Sequence, residues 1–262
     1  MKFAEMPYQR VDTEAVVAAL KELTQELKAA KSGEEQFEIH QKFYALRDEY
    51  NTTIQIAMIR SDVDTADEFY SEEKNYYNEV LPTINNQETE YRKALYYSPY
   101  REVLEEKIGK VAFKSMELEF KAMDEKLIPL MQEENALTTQ YDKLIASAKI
   151  DWEGEALNLS LLRPYMTHED REIRRKAHEK YSAFFQSKAE ELDEIYDKLV
   201  KNRTAQARLL GYENYVELGY YRMNRNSYGR EDVENFRRQI KEYFVPLAEK
   251  MHDKRRERLG LE

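Results

Sequence analysis

Residues that break regular structure are scarce in this chain, and their scarcity constrains its fold more than any other feature. Only 7 glycines and 6 prolines occur among 262 residues. Charged residues, which suit the exposed faces of helices, make up 35% of the chain. Hydrophobic residues make up 42%, which is enough to bury a substantial core. This composition predicts long helices packed around a common core.

Apolar residues recur at helical spacing along the first part of the chain. The two stripes are Val16, Leu20, Leu23 and Leu27, then Phe43, Leu46, Tyr50, Ile54 and Ala57. Asp12 or Thr13 is placed to cap the first helix. Ser32 and Glu35 have the spacing of a capping box before the second, which we expect to end at 62–64.

Helical periodicity continues from Ala66 to Tyr97, where we expect a third long helix. Its predicted stripe is Phe69, Tyr76, Val80, Ile84, Tyr91 and Leu95. Pro82 lies inside this helix and should kink it, because proline has no N–H to donate. The pair Ser98-Pro99 signals the start of a short helix, and Gly109 its end.

The pattern changes in the second half of the chain. One or two helices are expected from 111 to 148, with a bend or break at Pro129. Alternating apolar residues then flank the pair Glu153-Gly154 and predict a hairpin: Ile150, Trp152, Leu157 and Leu159.

Two further helices are expected after the hairpin. Thr167 and Asp170 have cap spacing before one long helix that Gly211 should end. Its apolar positions are Ala177, Tyr181, Phe184, Leu192, Ile195 and Leu199. The last helix is predicted from Arg230 to about Leu259, with a bend at Pro246.

No domain linker, low-complexity segment or fixed repeat divides the chain into modules. Long helices with narrow apolar stripes pack as antiparallel hairpins and bundles. The sequence therefore predicts an all-α fold of long antiparallel helices in a helical array, with one small β-hairpin near residues 150–160. Residues 1–262 are expected to form a single domain.

Charge and composition exclude several classes of partner. A net charge of −10 disfavours nucleic acid, because phosphate binding needs a concentrated basic surface. The chain has no cysteine, which excludes disulfides and thiolate metal ligands and fits a reducing compartment. No segment has the pattern of a signal peptide or a membrane span. We expect a cytoplasmic protein that binds neither nucleic acid nor membrane.

The four histidines do not form a recognisable metal motif. His168 and His178 are each followed by glutamate, as in the zinc motif His-Glu-x-x-His, but Glu172 and Ser182 stand where the second histidine belongs. Ten residues separate the two histidines, which places them on roughly opposite faces of a helix. We therefore expect no metal ligands in this chain.

Other catalytic arrangements are also missing. No serine lies in a Gly-x-Ser-x-Gly turn, and no glycine-rich phosphate loop occurs. Adjacent carboxylates, such as Glu133 and Glu134, are so frequent that they indicate solvated helix faces rather than acid–base pairs. No catalytic residue is assigned.

The segment from Gly211 to Tyr228 combines glycines with a dense set of aromatic and polar side chains. Gly219 is expected to allow a close approach along a path rich in turns. The clustered side chains are Tyr220, Tyr221, Arg222, Asn224 and Arg225. They either line a cleft that binds a ligand, or hold helices in register through pairing of the arginines with buried carboxylates. Substrate-binding residues stay unassigned.

Three local patterns occur in a fixed order: Trp152-Glu-Gly-Glu155, Arg174-Arg175-Lys-Ala177 and Leu210-Gly-Tyr-Glu-Asn-Tyr215. In this order, after a helical N-terminal region, they resemble oligoendopeptidase F, within the thimet-type zinc oligopeptidases. The resemblance covers nearly the whole chain and corresponds to the N-terminal half of that family.

The resemblance implies an almost wholly helical, two-lobed metalloendopeptidase whose deep channel admits short peptides and excludes folded proteins. In that family, zinc is bound by the two histidines of His-Glu-x-x-His and a glutamate from a neighbouring helix, and the motif's own glutamate activates water. No position of this sequence completes the motif. Zinc is therefore expected in the full-length enzyme, with none bound by this chain and no activity by itself.

The resemblance thus describes residues 1–262 as the helical N-terminal lobe of an oligopeptidase, truncated before its catalytic region. Its expected role is to form one wall of the channel and to restrict substrate size, with a C-terminal catalytic half as partner. The alternative is a non-catalytic helical interaction module that kept the scaffold without the metal site.

Overall fold

A computed structural model of the chain describes residues 2–260 and confirms the all-α class with one small hairpin. The helices are α1 (Thr13–Ala29), α2 (Gly33–Val63), α3 (Glu68–Tyr96), α4 (Arg101–Ile108), α5 (Lys110–Ala122), α6 (Ile128–Ala146), α7 (Leu159–Met166), α8 (Arg171–Ser187), α9 (Ala189–Leu209), α10 (Tyr215–Arg222), α11 (Arg230–Gln239) and α12 (Val245–Leu259). The strands are β1 (Ile150–Trp152) and β2 (Glu155–Leu157), between α6 and α7.

The first two helices begin where the capping signals predict. The Asp12 side chain accepts from the backbone N–H of Ala15 at 3.0 Å. Ser32 Oγ accepts from Glu35 N–H at 3.1 Å, while the Glu35 carboxylate accepts from the backbone N–H of Lys31 at 2.7 Å. The bonds from Ala15 and Glu35 satisfy N–H groups that a helix start leaves without a backbone partner. The Glu35 carboxylate accepts from Lys31, one residue before the N-cap Ser32 that a capping box would use.

The main core lies between α1, α2, α3, α4 and α5, and the predicted stripes of α1 and α2 face it. The predicted stripe of α3 is wrong at two positions. Phe69, predicted to be buried, is 55% exposed. Tyr76, also predicted to face the core, is half-buried, whereas its neighbour Tyr77 is fully buried. The Tyr77 hydroxyl accepts from the Val11 backbone N–H at 3.1 Å and bonds to the Tyr8 hydroxyl at 3.0 Å. Residues before α1 thus satisfy this buried phenol, a contact that periodicity does not reveal.

Helix α3 continues through Pro82, and α6 supplies the donor that the proline lacks. Pro82 has no N–H for the carbonyl of Asn78, four residues earlier. Asn135 on α6 donates to that carbonyl at 2.9 Å, and Gln132 donates to the carbonyl of Glu79 at 2.6 Å. The proline therefore becomes a docking point between two helices.

The hairpin packs in a second, smaller core with α7 and α8. Its strands are antiparallel, with Ile150 opposite Leu157. Trp152 is buried, and its ring lies 4.6 Å from that of Tyr165 on α7. Leu159 begins α7 and does not extend the hairpin as predicted, because Asn158 caps the helix by accepting from Leu161 N–H at 2.8 Å.

Two helix breaks differ from the predicted ones. The break between α5 and α6 spans residues 123–127, and Pro129 occupies the first turn of α6, where an N–H is not needed. The single long helix predicted between Asp170 and Gly211 is two helices, α8 and α9, which meet at Lys188.

The last helical segment, α11 to α12, lies exposed along its length. A π-helical turn at Ile240–Phe244 joins the two helices just before Pro246, near the predicted bend. Large apolar side chains spaced three or four residues apart face solvent: Phe236, Ile240, Tyr243, Phe244, Leu247 and Met251. No helix within residues 2–260 is long and apolar enough to cross a membrane.

A buried histidine makes the stability of the main core depend on pH. The His40 ring stacks 6.0 Å from that of Tyr91 and 5.8 Å from that of Phe43. Burial, together with the charge of Arg92, lowers the pKa of His40 from 6.5 to about 4. The folded protein therefore holds this ring neutral at a pH at which an unfolded chain protonates it.

Replacement of His40 by Phe should reduce the loss of stability in acid. Because the folded-state pKa is lower than the unfolded one, stability falls as the pH drops from 6.5 towards 4. Between pH 7 and pH 5 the wild-type chain should lose about 2 kcal/mol more than His40→Phe. Urea unfolding at the two pH values measures this difference, and equal losses would contradict the assignment.

Candidate functional site

The segment singled out in the sequence folds around a short helix rather than along a turn-rich path. Gly211 follows α9 with a φ of 88°, a left-handed conformation that favours glycine. Asn214 caps α10 by accepting from Val216 N–H at 2.9 Å. Gly219 lies buried inside α10, where a Cβ would come within 3.3 Å of the Tyr215 ring. The predicted close approach is therefore an approach to Tyr215.

The buried carboxylate of Glu134 joins α6 to α9 and α10. It accepts from Arg203 Nε at 2.8 Å and from Arg222 Nη1 at 2.9 Å. Gln206 Nε2 donates to it at 2.8 Å, and the Tyr215 hydroxyl lies 3.1 Å from Arg222 Nη1. The prediction that Arg222 pairs with a buried carboxylate is confirmed.

The environment of Glu134 stabilises its charged form. Burial disfavours the charge, but the nearby charge of Arg222 and the three donated hydrogen bonds outweigh burial and lower the pKa of Glu134 below 4.5. Burial likewise opposes the charge of Arg222, and the carboxylate overcomes it and raises the pKa of Arg222. The two groups are therefore charged together at neutral pH.

The burial of Glu134 shows that the prediction of solvated adjacent carboxylates is wrong at this position. Its side chain is only 10% exposed, whereas the pair Glu133-Glu134 was expected to face solvent. A signal was available in the sequence, because Glu134 lies on a helical stripe with Leu130 and Leu137. A single carboxylate on such a stripe needs buried cationic or hydrogen-bonding partners.

Arg225 lies beyond α10 and makes contacts of another kind. Its guanidinium lies 4.1 Å from the centroid of the Tyr220 ring and 5.5 Å from that of Tyr228. Within residues 2–260 no ion pair or hydrogen bond engages this guanidinium. The expectation that Arg225 pairs with a buried carboxylate is therefore wrong.

Tyr221 lies near Arg225, and both line a groove of about 350 Å³ between α10 and the start of α11. The Tyr221 hydroxyl donates to Glu217 at 2.6 Å, and this bond, with burial, raises the pKa of Tyr221 to about 12. The structure thus separates the predicted cluster. Tyr220, Tyr221 and Arg225 line this groove, whereas Arg222 bonds to Glu134 and, together with Asn224, lines a different cleft.

The loop after α10 is held against α5. Asn226 Nδ2 donates to Ser115 Oγ at 3.2 Å, and Lys114 Nζ donates to the Asn226 carbonyl at 3.2 Å. Before α10, the Tyr212 hydroxyl donates to the carbonyl of Lys121 at 2.8 Å. Both ends of the segment are therefore positioned by one helix.

A second, more polar cleft of about 600 Å³ lies between α2, α3, α5, α6 and α10. Its charged side chains are engaged in ion pairs, Arg222 with Glu134 and the others with one another. Arg92 donates to Glu119 at 2.7 Å and also bonds to Glu88, while Arg47 Nε lies 3.4 Å from Glu88. Apolar periodicity does not predict this network, although the spacing of four between Glu88 and Arg92 is a signal for an ion pair on one helix.

The histidines are far from any metal arrangement. His168 and His178 are both exposed, and His168 Nδ1 accepts from the Asp170 backbone N–H at 3.0 Å at the start of α8. No group of three or more histidine or carboxylate side chains within residues 2–260 is arranged to hold a metal ion. The described residues thus define a helical scaffold with grooves on its surface.

Comparisons with known proteins assign this scaffold to a family. Residues 3–123 match the peptidase M3 N-terminal domain, and residues 164–262 match peptidase family M3. The structure of PZ peptidase A with an inhibitor matches with a TM-score of 0.96 and 42% identity, over 100% of this chain and 46% of that one. A search of curated proteins gave no match.

Two further solved structures, both described as oligoendopeptidase F, match with the same TM-score of 0.96. One is 40% identical, and the other, from Bacillus anthracis str. Ames, is 38% identical. Both matches cover 100% of this chain, but only 46% and 48% of the relatives. The chain belongs to peptidase family M3, a family of metallopeptidases, and spans less than half the length of these relatives.

Replacement of Glu134 by Gln should destabilise the chain by about 1–3 kcal/mol at pH 7, because two arginines lose a charged acceptor. Since the folded-state pKa is lowered, the contribution of Glu134 is present above 4.5 and is lost as the pH falls through the folded-state pKa. Urea unfolding should therefore show a deficit that shrinks in acid. Glu38→Gln, at an exposed position of α2, is the matched control, and an equal loss in both variants would contradict the role of Glu134.

Proposed function

We propose that this chain is the N-terminal part of a zinc-dependent metallo-oligopeptidase that hydrolyses internal peptide bonds of short peptides. The observation that carries the proposal is the match to PZ peptidase A with an inhibitor, at 42% identity over 100% of this chain. In this proposal residues 1–262 are one helical lobe that forms a wall of the channel and restricts the size of the substrate.

Zinc would be held elsewhere in the whole enzyme. The histidines of this chain do not fit a zinc site. His40 is buried against Tyr91, while His168, which precedes α8, and His178, on α8, are exposed. Within residues 2–260 none of them belongs to a group of three side chains that could hold a metal ion. The contribution of this lobe is therefore to bind and orient peptides and to exclude larger substrates. No step at the metal is assigned to its residues.

The exposed apolar side chains of α11 and α12 support the proposal that a partner polypeptide completes the enzyme. Large apolar side chains along one helix, such as Phe236, Tyr243 and Met251, are costly to leave in water and commonly mark an interface. We propose that a C-terminal catalytic half covers this helix. Such a partner would also bring the metal site to the channel.

The second candidate is a non-catalytic helical interaction module. It is favoured by the absence of His-Glu-x-x-His from all 262 residues. In that case the same apolar helix would bind another protein, and the purified chain should be cooperatively folded and form a defined complex without zinc. Metal content and peptide cleavage separate the two candidates.

The chain by itself should contain no stoichiometric zinc and should not cleave a quenched fluorescent peptide. When it is produced together with a polypeptide that carries His-Glu-x-x-His, read from the same frame or an adjacent gene, cleavage should appear and a chelator should abolish it. Short peptides should be cleaved and folded proteins should not, because the channel wall excludes them.

The His-Glu-x-x-His polypeptide alone is the matched control. Zinc-dependent cleavage by the 262-residue chain alone would contradict the expectation that this chain is inactive by itself. Failure to find any such polypeptide downstream or nearby would remove the main support for the peptidase and favour the interaction module.

A further inference from the structure

The groove between α10 and the start of α11 has the size and lining of a small ligand site. Its volume of about 350 Å³ lies at the lower end of the range for ligand pockets. The aromatic part of its lining includes Tyr220, Tyr221 and Tyr228, and Arg225 lies among them. A groove of this size fits a few residues of peptide rather than a folded partner.

The local backbone places Arg225 in this groove. Asn224 adopts a positive φ of 51°, which ends α10 and reverses the chain. The Arg225 N–H then bonds to the Tyr220 carbonyl at 3.3 Å, and the guanidinium lies over the Tyr220 ring. The side chain is therefore held half-buried by ring stacking.

Arg225 differs from the neighbouring arginines because its guanidinium contacts tyrosine rings and not a carboxylate. Arg222 pairs with Glu134 at 2.9 Å, and Arg230, at the rim of the same groove, pairs with Glu234 at 2.7 Å. Arg225 is stacked on tyrosine, and no acceptor within residues 2–260 bonds to its guanidinium. Stacking uses the face of the guanidinium and leaves the N–H groups of its edge free for a planar anion.

The acidic residues of the groove restrict which anion it can accept. Glu213 and Glu217 also line it, and Glu217 accepts a hydrogen bond from Tyr221. Their charges repel a phosphate, which carries nearly two negative charges, more than a carboxylate with one. They also attract an amino group. A short peptide with free termini offers one carboxylate and one amino group together.

We propose that this groove binds the C-terminal carboxylate of a short peptide, with Arg225 as the donor of a two-pronged hydrogen bond. The tyrosine rings provide apolar surface for the terminal residue, and Glu213 and Glu217 favour a peptide over a simple anion. This inference rests on the proposed function and narrows its substrate class to peptides with a free C-terminus near this wall.

Binding of trialanine to the full 262-residue chain tests the proposal by isothermal titration calorimetry at pH 7. The free acid should bind at least about tenfold more tightly than trialanine amide, because only the free acid offers a carboxylate. Arg225→Gln should weaken binding of the free acid by about tenfold and leave binding of the amide unchanged. Arg225→Lys, which keeps the charge without the planar fork, should lie between the two.

Arg237→Gln is the matched control, because it removes the same charge from an exposed position of α11 outside the groove lining. It should bind trialanine like the wild-type chain. Urea unfolding of Arg225→Gln should show a chain that is still cooperatively folded, since Arg225 makes ring contacts and no ion pair within residues 2–260. Any of three results would overturn the proposal. They are equal binding of the free acid and the amide, no binding of trialanine, and binding of inorganic phosphate as tight as that of trialanine.

The trialanine-binding experiment and the peptide-cleavage experiment can fail independently of each other. If the assembled enzyme cleaves peptides but Arg225→Gln binds trialanine normally, the carboxylate site is wrong and the peptidase stands. If trialanine binding depends on Arg225 but no assembly cleaves peptides, the site stands and the peptidase is wrong.

Discussion

The buried carboxylate of Glu134 is the interaction on which the arrangement of α6, α9 and α10 depends. Three helices converge on it, because donors from α9 and α10 reach a single acceptor on α6. Charged hydrogen bonds of this kind are directional, so they set the rotation of α10 as well as its distance from α6. That rotation turns Arg222 inward and leaves the Tyr220 and Tyr221 side of the segment on the groove.

Helix α6 also connects these helices to the main core. Its Asn135 donates to the carbonyl of Asn78, which Pro82 cannot satisfy within α3, and its Gln132 donates to the adjacent carbonyl of Glu79. A residue that usually interrupts a helix is thereby used to dock a neighbouring one. The position of the candidate groove therefore depends on a chain of polar contacts that runs from α3 through α6 to α10.

The two sides of this scaffold have different physical character, and the difference bears on function. The polar cleft is lined by charges that pair with one another, as Arg92 does with Glu88 and Glu119. The groove beside α11 holds a stacked arginine with free donors and adjoins a helix with exposed apolar residues. A binding role for the lobe is therefore supported more strongly on the side of the groove.

The sequence by itself determined the all-α class, the stripes of α1 and α2, the hairpin and the family, because these depend on local spacing and short motifs. Tertiary structure decided the rest. Tyr77 is buried because a segment far away in sequence satisfies its hydroxyl, and Glu134 is buried because partners about seventy or more residues later neutralise it. Arg222 and Arg225 look equivalent in sequence, but a turn of the backbone at Asn224 assigns one to a carboxylate and the other to an open groove.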